Sequence, residues 1–202
     1  MLILVHTAHP QALHHQGPGF GRLLSPREYS RASDTAATGI PWAADNDCFQ
    51  RLDAKAYRQM LTRIQGLPGC LFVTAPDVVG DWRATRERWD VWRDFLDGHS
   101  AGYVAQDGQP ASLVPWDELA CLFIGGTTRY KLSSEAEDLA REAKRRGLWV
   151  HMGRVNSRKR FDYARAIGCD SVDGTSYSRW RLTYLPAALG WHAQPYQGRL
   201  TL

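Results

Sequence analysis

Polar and acidic residues recur in this sequence directly after short apolar runs. His6 and His9 follow the run 2–5, Asp45 and Asp47 follow 41–44, and Asp77 follows 70–75. Gln106 and Asp107 follow 102–105, Gly125 and Gly126 follow 121–124, His151-Met152-Gly153 closes 148–152, and Asp173 closes 171–173. A single Asp in such a place serves equally well as a helix cap or a turn residue. Several carboxylates at successive strand ends are different, because strand ends that share one mouth bring them together. Convergent carboxylates suit chemistry at a glycosidic carbon: one attacks the anomeric carbon as the leaving group departs, and the other moves the proton. In the usual retaining pattern the two lie about 5–5.5 Å apart. His6, His9, His151 and Asp173 also permit a second reading, a metal-dependent barrel hydrolase, although HxxH on a loop is not the alternation of ligands along a strand. A third is a binding module without turnover.

The elements that must position these groups follow from periodicity. The seven apolar runs are short and rich in β-branched and aromatic residues, as buried strands are. Between them lie helical faces: Ala56, Tyr57, Met60, Leu61 and Ile64; Trp82, Thr85, Trp89, Trp92 and Leu96; Ala136, Leu139, Ala140 and Ala143; Phe161, Ala164 and Ile167. Asp53, Asp81 and Asn156 are N-cap types, Ser134 with Glu137 makes a capping-box pattern, and Gly66, Gly147 and Gly168 stand where helices end. Strands alternating with helices predict a parallel sheet with helices outside it. With seven candidate strands and no GxGxxG after the first, the expected fold is a compact α/β barrel of the TIM type, an eighth strand not being visible. Residues 6–39 lack periodicity apart from a short helix over 25–31, and are expected to form a long loop acting as a lid.

Composition narrows the setting. Residues 1–202, 44% hydrophobic, suffice for one substantial core, so a single domain is expected. No apolar run approaches the roughly 18 residues of a membrane span, which leads to the expectation of a cytoplasmic protein without membrane contact. The four cysteines, Cys48, Cys70, Cys121 and Cys169, form no CxxC pair and no metal-ligand cluster, so neither a disulfide framework nor a metal or other cofactor is expected. The net charge of +4 is mild, but Arg154, Arg158, Lys159, Arg160 and Arg179 flank Asp173, as suits a polyanionic partner.

The order of these motifs resembles that of the tRNA-guanine transglycosylase superfamily across about residues 41–180. Asp45-Asn46-Asp47-Cys48-Phe49-Gln50 is similar to the family's D-S-G-G-[FY]-Q segment. Asp77, Gln106, Gly125-Gly126 and Met152-Gly153 follow in the family's order, and Gly168-Cys169-Asp170-Ser171-Val172-Asp173 resembles its G-[VC]-D-x-[FV]-D ending. The resemblance implies Asp173 as covalent nucleophile and Asp45 as general acid/base. It implies a planar base held between Phe49 and Met152, an aromatic face and a thioether. Asp77 would accept from the N–H edge of a guanine-type base, Gln106 would bond its carbonyl side, and the Gly125, Gly126 and Gly153 backbone would line the pocket.

Two departures carry information. Asp47 and Cys48 stand where the family has glycines; a helix-capping role is the expectation for Asp47. The family's C-x-C-x-x-C…H zinc cluster does not follow Asp173, and that subdomain supports tRNA docking and pairing of subunits. A zinc-free chain is closer to the deazapurine DNA-modification branch of the superfamily. The expectation is therefore exchange of guanine in DNA, less readily in tRNA, for a 7-deazaguanine-type base, with Arg154, Arg158, Lys159, Arg160 and Arg179 on the phosphates.

Overall fold

The computed structural model describes residues 1–6, 17–180 and 183–191. Eight strands close into an all-parallel barrel in sequence order: β1 (Leu2–His6), β2 (Phe20–Leu24), β3 (Trp42–Ala44), β4 (Cys70–Thr74), β5 (Ala101–Ala105), β6 (Cys121–Ile124), β7 (Trp149–Met152) and β8 (Ser171–Asp173). Closure runs through Leu2–Ser171, Ile3–Val172 and Leu4–Asp173, which places the last residue of β8 beside the middle of β1. The helices are α1 (Ala32–Ala37), α2 (Ala54–Ile64), α3 (Trp82–Trp92), α4 (Thr128–Lys131), α5 (Ser134–Arg145), α6 (Arg158–Ala166), α7 (Thr175–Arg179) and α8 (Tyr184–Gly190).

Strand alternation splits the apolar residues into two cores. Leu4, Leu23, Ala43, Phe72, Val104, Cys121 and Phe123 fill the barrel, while a larger layer including Ile3, Trp42, Val73, Tyr103, Leu122, Val150, Met152 and Val172 faces the helices. The predicted helix faces are the buried ones: Tyr57, Met60, Leu61 and Ile64 on α2, and Ala136, Leu139, Ala140 and Ala143 on α5. Asp53 and Asp81 cap α2 and α3 by accepting from the N–H groups of Ala56 and Ala84 at 2.9 and 3.0 Å. Gly66, Gly147 and Gly168 have φ of 73°, 75° and 91°, the left-handed turn that ends a helix. Two caps shift by one residue. Ser133 rather than Ser134 caps α5, and Ser157 rather than Asn156 caps α6. Asn156 instead accepts from Ser176 N–H at 3.0 Å, in the first turn of α7.

The expected long loop is the main correction. The eighth strand, β2, lies inside it, followed by a 3-10 helix over Pro26–Arg31 and by α1. Phe20-Gly21-Arg22-Leu23-Leu24 is buried throughout, yet a glycine and an arginine interrupt its apolar character. Gly21 is required there, since a Cβ would sit 2.5 Å from Leu4 Cδ2 and 3.0 Å from the Pro41 carbonyl. His9, His14 and His15 lie outside the described residues. No helix among the described residues is long and apolar enough to cross a membrane.

Candidate active site

The C-terminal strand ends enclose a cavity of about 520 Å³, in the range that holds a small organic ligand. Asp45, Phe49, Asp77, Gln106, Gly125, Gly126, Gly153, Arg154 and Asp173 all line it, so most of the sequence-derived constellation converges. Ser25, Arg27 and Glu28, delivered by the unanticipated β2, complete one wall together with His6, Asn46 and Lys131.

Asp45 leaves β3 on the inward side, its N–H donating to the Leu24 carbonyl at 2.8 Å. Burial, joined by the charges of Asp173, Asp77 and Asp47, pushes its carboxyl up to about 7, against the opposing pull of His6. Asp173 goes the other way. Burial would raise it, but the hydrogen bond and charge of His151, the charge of His6 and the Arg154 N–H together hold it below the usual carboxylate range. Its Oδ2 lies 2.9 Å from His151 Nε2, and its Oδ1 accepts from the Arg154 N–H at 3.2 Å. Two carboxyls in one cavity are thus displaced in opposite directions, the pattern that an acid beside a nucleophile requires.

Asp77 is held by its neighbours. Asn46 Nδ2 donates to Asp77 Oδ1 at 2.8 Å and to the Ala75 carbonyl at 2.6 Å, and Gln106 Nε2 donates to Asp77 Oδ2 at 2.6 Å. Burial raises the Asp77 carboxyl, offset in part by Asn46, Arg88 and Arg154. Gln106, fully buried, also accepts from the Gly80 N–H at 2.8 Å. Its amide mainly orients Asp77, leaving one N–H and one oxygen lone pair for anything in the cavity. Gly125 and Gly153 are dictated by packing: a Cβ at Gly125 would lie 2.5 Å from Val104 Cγ1, and one at Gly153 would lie 2.7 Å from Phe123 Cε1. Gly126 has φ 70° and would press on Tyr130 Cδ1 at 2.8 Å.

Met152 is the site residue that the structure places elsewhere. It is 1% exposed and belongs to the core between barrel and helices, because Trp149, His151 and Gly153 take the inward positions of β7 and its exit. Against Phe49, which is 64% exposed, lies the Arg154 guanidinium, 4.3 Å from the ring centroid, its terminal nitrogen donating to the Gly126 carbonyl. Asp47 caps no helix with its side chain: its carboxylate pairs with Arg27 Nε at 2.7 Å, and Asn46 Oδ1 accepts the Cys48 N–H at 2.7 Å.

Of the basic residues expected on phosphates, Arg154 lines the cavity and the charge of Arg160 reaches Lys131. Arg158 pairs with Asp162 at 2.7 Å, while Lys159 and Arg179 are exposed outside the lining. Lys131, which sequence periodicity did not single out, is buried with Nζ 2.9 Å from the Gly153 carbonyl. Burial, then the nearby Arg154, lower it to about 8, against the pull of Asp173 and Asp107. The order of motifs assigns Met152 rather than His151 to the base pocket, whereas strand alternation from Gly153 puts His151 on the inner face. Among the described residues, no group of three or more His, Cys, Asp or Glu is placed to hold a metal ion. Comparison of the chain with protein-family models finds no match, and comparison with curated proteins finds none either.

Proposed function

We propose that this chain is a base-exchange glycosyltransferase, replacing guanine in DNA by a 7-deazaguanine-type base through a glycosyl ester on Asp173. The observation that carries the reading is the pair Asp45 and Asp173, lining one cavity with carboxyls displaced in opposite directions. In the first step an ionised Asp173 oxygen bonds to C1′ and the C1′–N9 bond breaks. The electron pair leaves with guanine, which takes the proton of Asp45. The incoming base then returns a proton to Asp45, bonds through N9 to C1′ and releases Asp173 as carboxylate. Asp77, held by Asn46 and Gln106, faces the donor edge of the base, and Phe49 offers a stacking face. A glycosidic bond inside a duplex requires extrusion of the nucleotide, at a cost of a few kcal/mol, or a single-stranded substrate.

The test combines trapping with product analysis. The full chain is incubated with a guanine-containing single-stranded DNA and a labelled 7-deazaguanine-type base, with tRNA in a parallel arm. The expected result is a denaturation-resistant protein–DNA adduct, absent in Asp173→Asn, and label recovered as a deoxynucleoside. Label in tRNA alone transfers the activity to RNA; no adduct and no incorporation with either polymer sinks base exchange.

A further inference from the structure

Below Asp173, on the inward faces of β7 and β8, lies a column of polar side chains inside an otherwise apolar barrel. Trp149 Nε1 lies 2.8 Å from Ser171 Oγ, Ser171 Oγ lies 2.8 Å from His151 Nδ1, and His151 Nε2 lies 2.9 Å from Asp173 Oδ2. The imidazole is fully buried between Phe123 and Phe72, with ring centroids 4.5 and 5.2 Å away. We propose that His151 is a positioning residue, which fixes the attacking carboxylate of Asp173 through a buried relay anchored on the Trp149 indole and passed on by Ser171. The proposal rests on the reading of Asp173 as nucleophile.

The direction of the relay follows from donor and acceptor counts. An indole N–H only donates, so Ser171 Oγ accepts from Trp149 and has its own hydrogen left for His151 Nδ1. His151 Nδ1 is the one acceptor within reach of that hydrogen among the described residues, so an accepting Nδ1 leaves no donor unused; the ring proton then sits on Nε2, and Nε2–H donates to Asp173 Oδ2. Protonation of the ring adds an Nδ1–H facing the second lone pair of Ser171 Oγ and keeps the donation to Asp173, and in either charge state the ring cannot turn over without breaking two bonds between aromatic walls. Asp173 Oδ2 is thereby held inward. Oδ1, bound only by the longer contact to the Arg154 N–H among the described residues, has the weaker hold and is the oxygen placed to attack.

The set contains the residue types of a Ser-His-Asp nucleophile system, but burial reverses the roles. Ser171 is wholly buried below the imidazole and does not line the cavity, whereas Asp173 does. The acid meets the ligand and the serine is the anchor. A donor to the carboxylate favours its ionised form and its departure from a glycosyl ester, so the relay assists release of the intermediate more than its formation.

The other groups facing Asp173 are His6 from β1, Asp45 beyond β3, Lys131 from α4 and Tyr177 from α7, so a titration must separate His151 from them. The experiment uses the intact chain and needs no substrate. Nitrogen-15 shifts of His151 report its tautomer, and carbon-13 carboxyl shifts follow Asp173 through pH in wild type, His151→Gln, His151→Leu and Ser171→Ala. Expected are an Nε2–H imidazole in wild type and an Asp173 midpoint below the ordinary range. The midpoint should be kept in His151→Gln, whose amide can donate from the same side, and raised by about one pH unit or more in folded His151→Leu. Should His151→Leu not fold, Ser171→Ala serves instead: loss of the single tautomer is expected. An Nδ1–H tautomer in wild type, or an Asp173 midpoint indifferent to His151→Leu, overturns the relay. Base exchange can fail while these spectra stand, and the spectra can fail while trapping succeeds, so the two readings are tested separately.

Discussion

The guanidinium of Arg154, and not the thioether of Met152, lies over the ring of Phe49, 4.3 Å from its centroid. Arg154 reaches this position from a left-handed backbone, φ 58°, directly after Gly153. A planar base entering the cavity meets the exposed phenyl ring and the arginine, and Met152 is shut behind the strand. Phe49→Ala is expected to weaken binding of a 7-deazaguanine-type base by about 1–3 kcal/mol, roughly 5- to 150-fold in Kd. Met152→Leu is expected to leave that Kd unchanged and to cost less than about 1.5 kcal/mol of stability. Calorimetric titration of both variants checks the pair; a larger loss in Met152→Leu than in Phe49→Ala refutes this placement of the slot.

In the proposed reaction Asp45 sets the pH limit. As donor of the first proton it must be protonated, so the rate of adduct formation on Asp173 should fall as pH rises through about 7. Asp45→Asn should lower the rate by about 10²–10⁴-fold and abolish that falling limb. Stability follows the same group. Its folded-state midpoint, about 7, stands above the ordinary 3.8, so the contribution of Asp45 to stability is complete below 3.8 and is lost as pH rises through 7. Above pH 7 the Asp45→Asn variant should unfold at higher denaturant concentration than wild type, with the advantage disappearing in acid. Single-turnover trapping and urea titrations over pH 4–9 measure the two effects.

Much of this site is legible in the sequence because strand ends and helix caps have local signals. Asp45, Asp77, Gln106 and Asp173 all line the cavity or its floor, since each follows a buried apolar run. What escaped are residues whose role depends on facing direction or on a distant partner. Met152 and His151 are adjacent in β7, and a period of two assigns only one to the barrel; Gly153, the next inward residue, decides for His151. β2 was hidden because Gly21 makes room for Leu4 and the Pro41 carbonyl, a requirement of three-dimensional packing that reads in sequence as a loop glycine. Lys131 and Asn46 bond to Gly153 and Asp77, partners 22 and 31 residues away, and no spacing rule connects them.

Lys131 should reveal its burial in alkaline titration. Burial and the neighbouring Arg154 hold its midpoint near 8 against an ordinary 10.5, so the folded chain releases a proton that the unfolded chain retains. Its contribution to stability is therefore fully present above 10.5 and lost as pH falls through 8. Relative to Lys131→Met, wild type should gain up to roughly 3 kcal/mol of unfolding free energy across that interval. Denaturant unfolding of both proteins at matched pH provides the difference, and parallel curves from pH 7 to 11 contradict the assignment.

Asp47 offers the sharpest separation of backbone from side chain, because it is a non-glycine residue held in a glycine-like conformation. Its φ is 56°, a region that costs an L-residue roughly 1 kcal/mol and costs glycine nothing. Opposing this is the ion pair with Arg27 at 2.7 Å, whose arginine side is 59% exposed and which contributes at most about 1 kcal/mol. Asp47→Gly relieves the backbone and loses the pair, so stability should change by less than about 1 kcal/mol. Asp47→Ala loses the pair and keeps the strain, and should be the less stable variant by about 1 kcal/mol. Both remove a negative charge that raises Asp45, so both should move the falling limb of adduct formation to lower pH by the same amount. Thermal unfolding and the pH–rate profile of the two variants are the measurements. Equal stability of Asp47→Gly and Asp47→Ala refutes the backbone argument, whereas an unmoved limb refutes the electrostatic one.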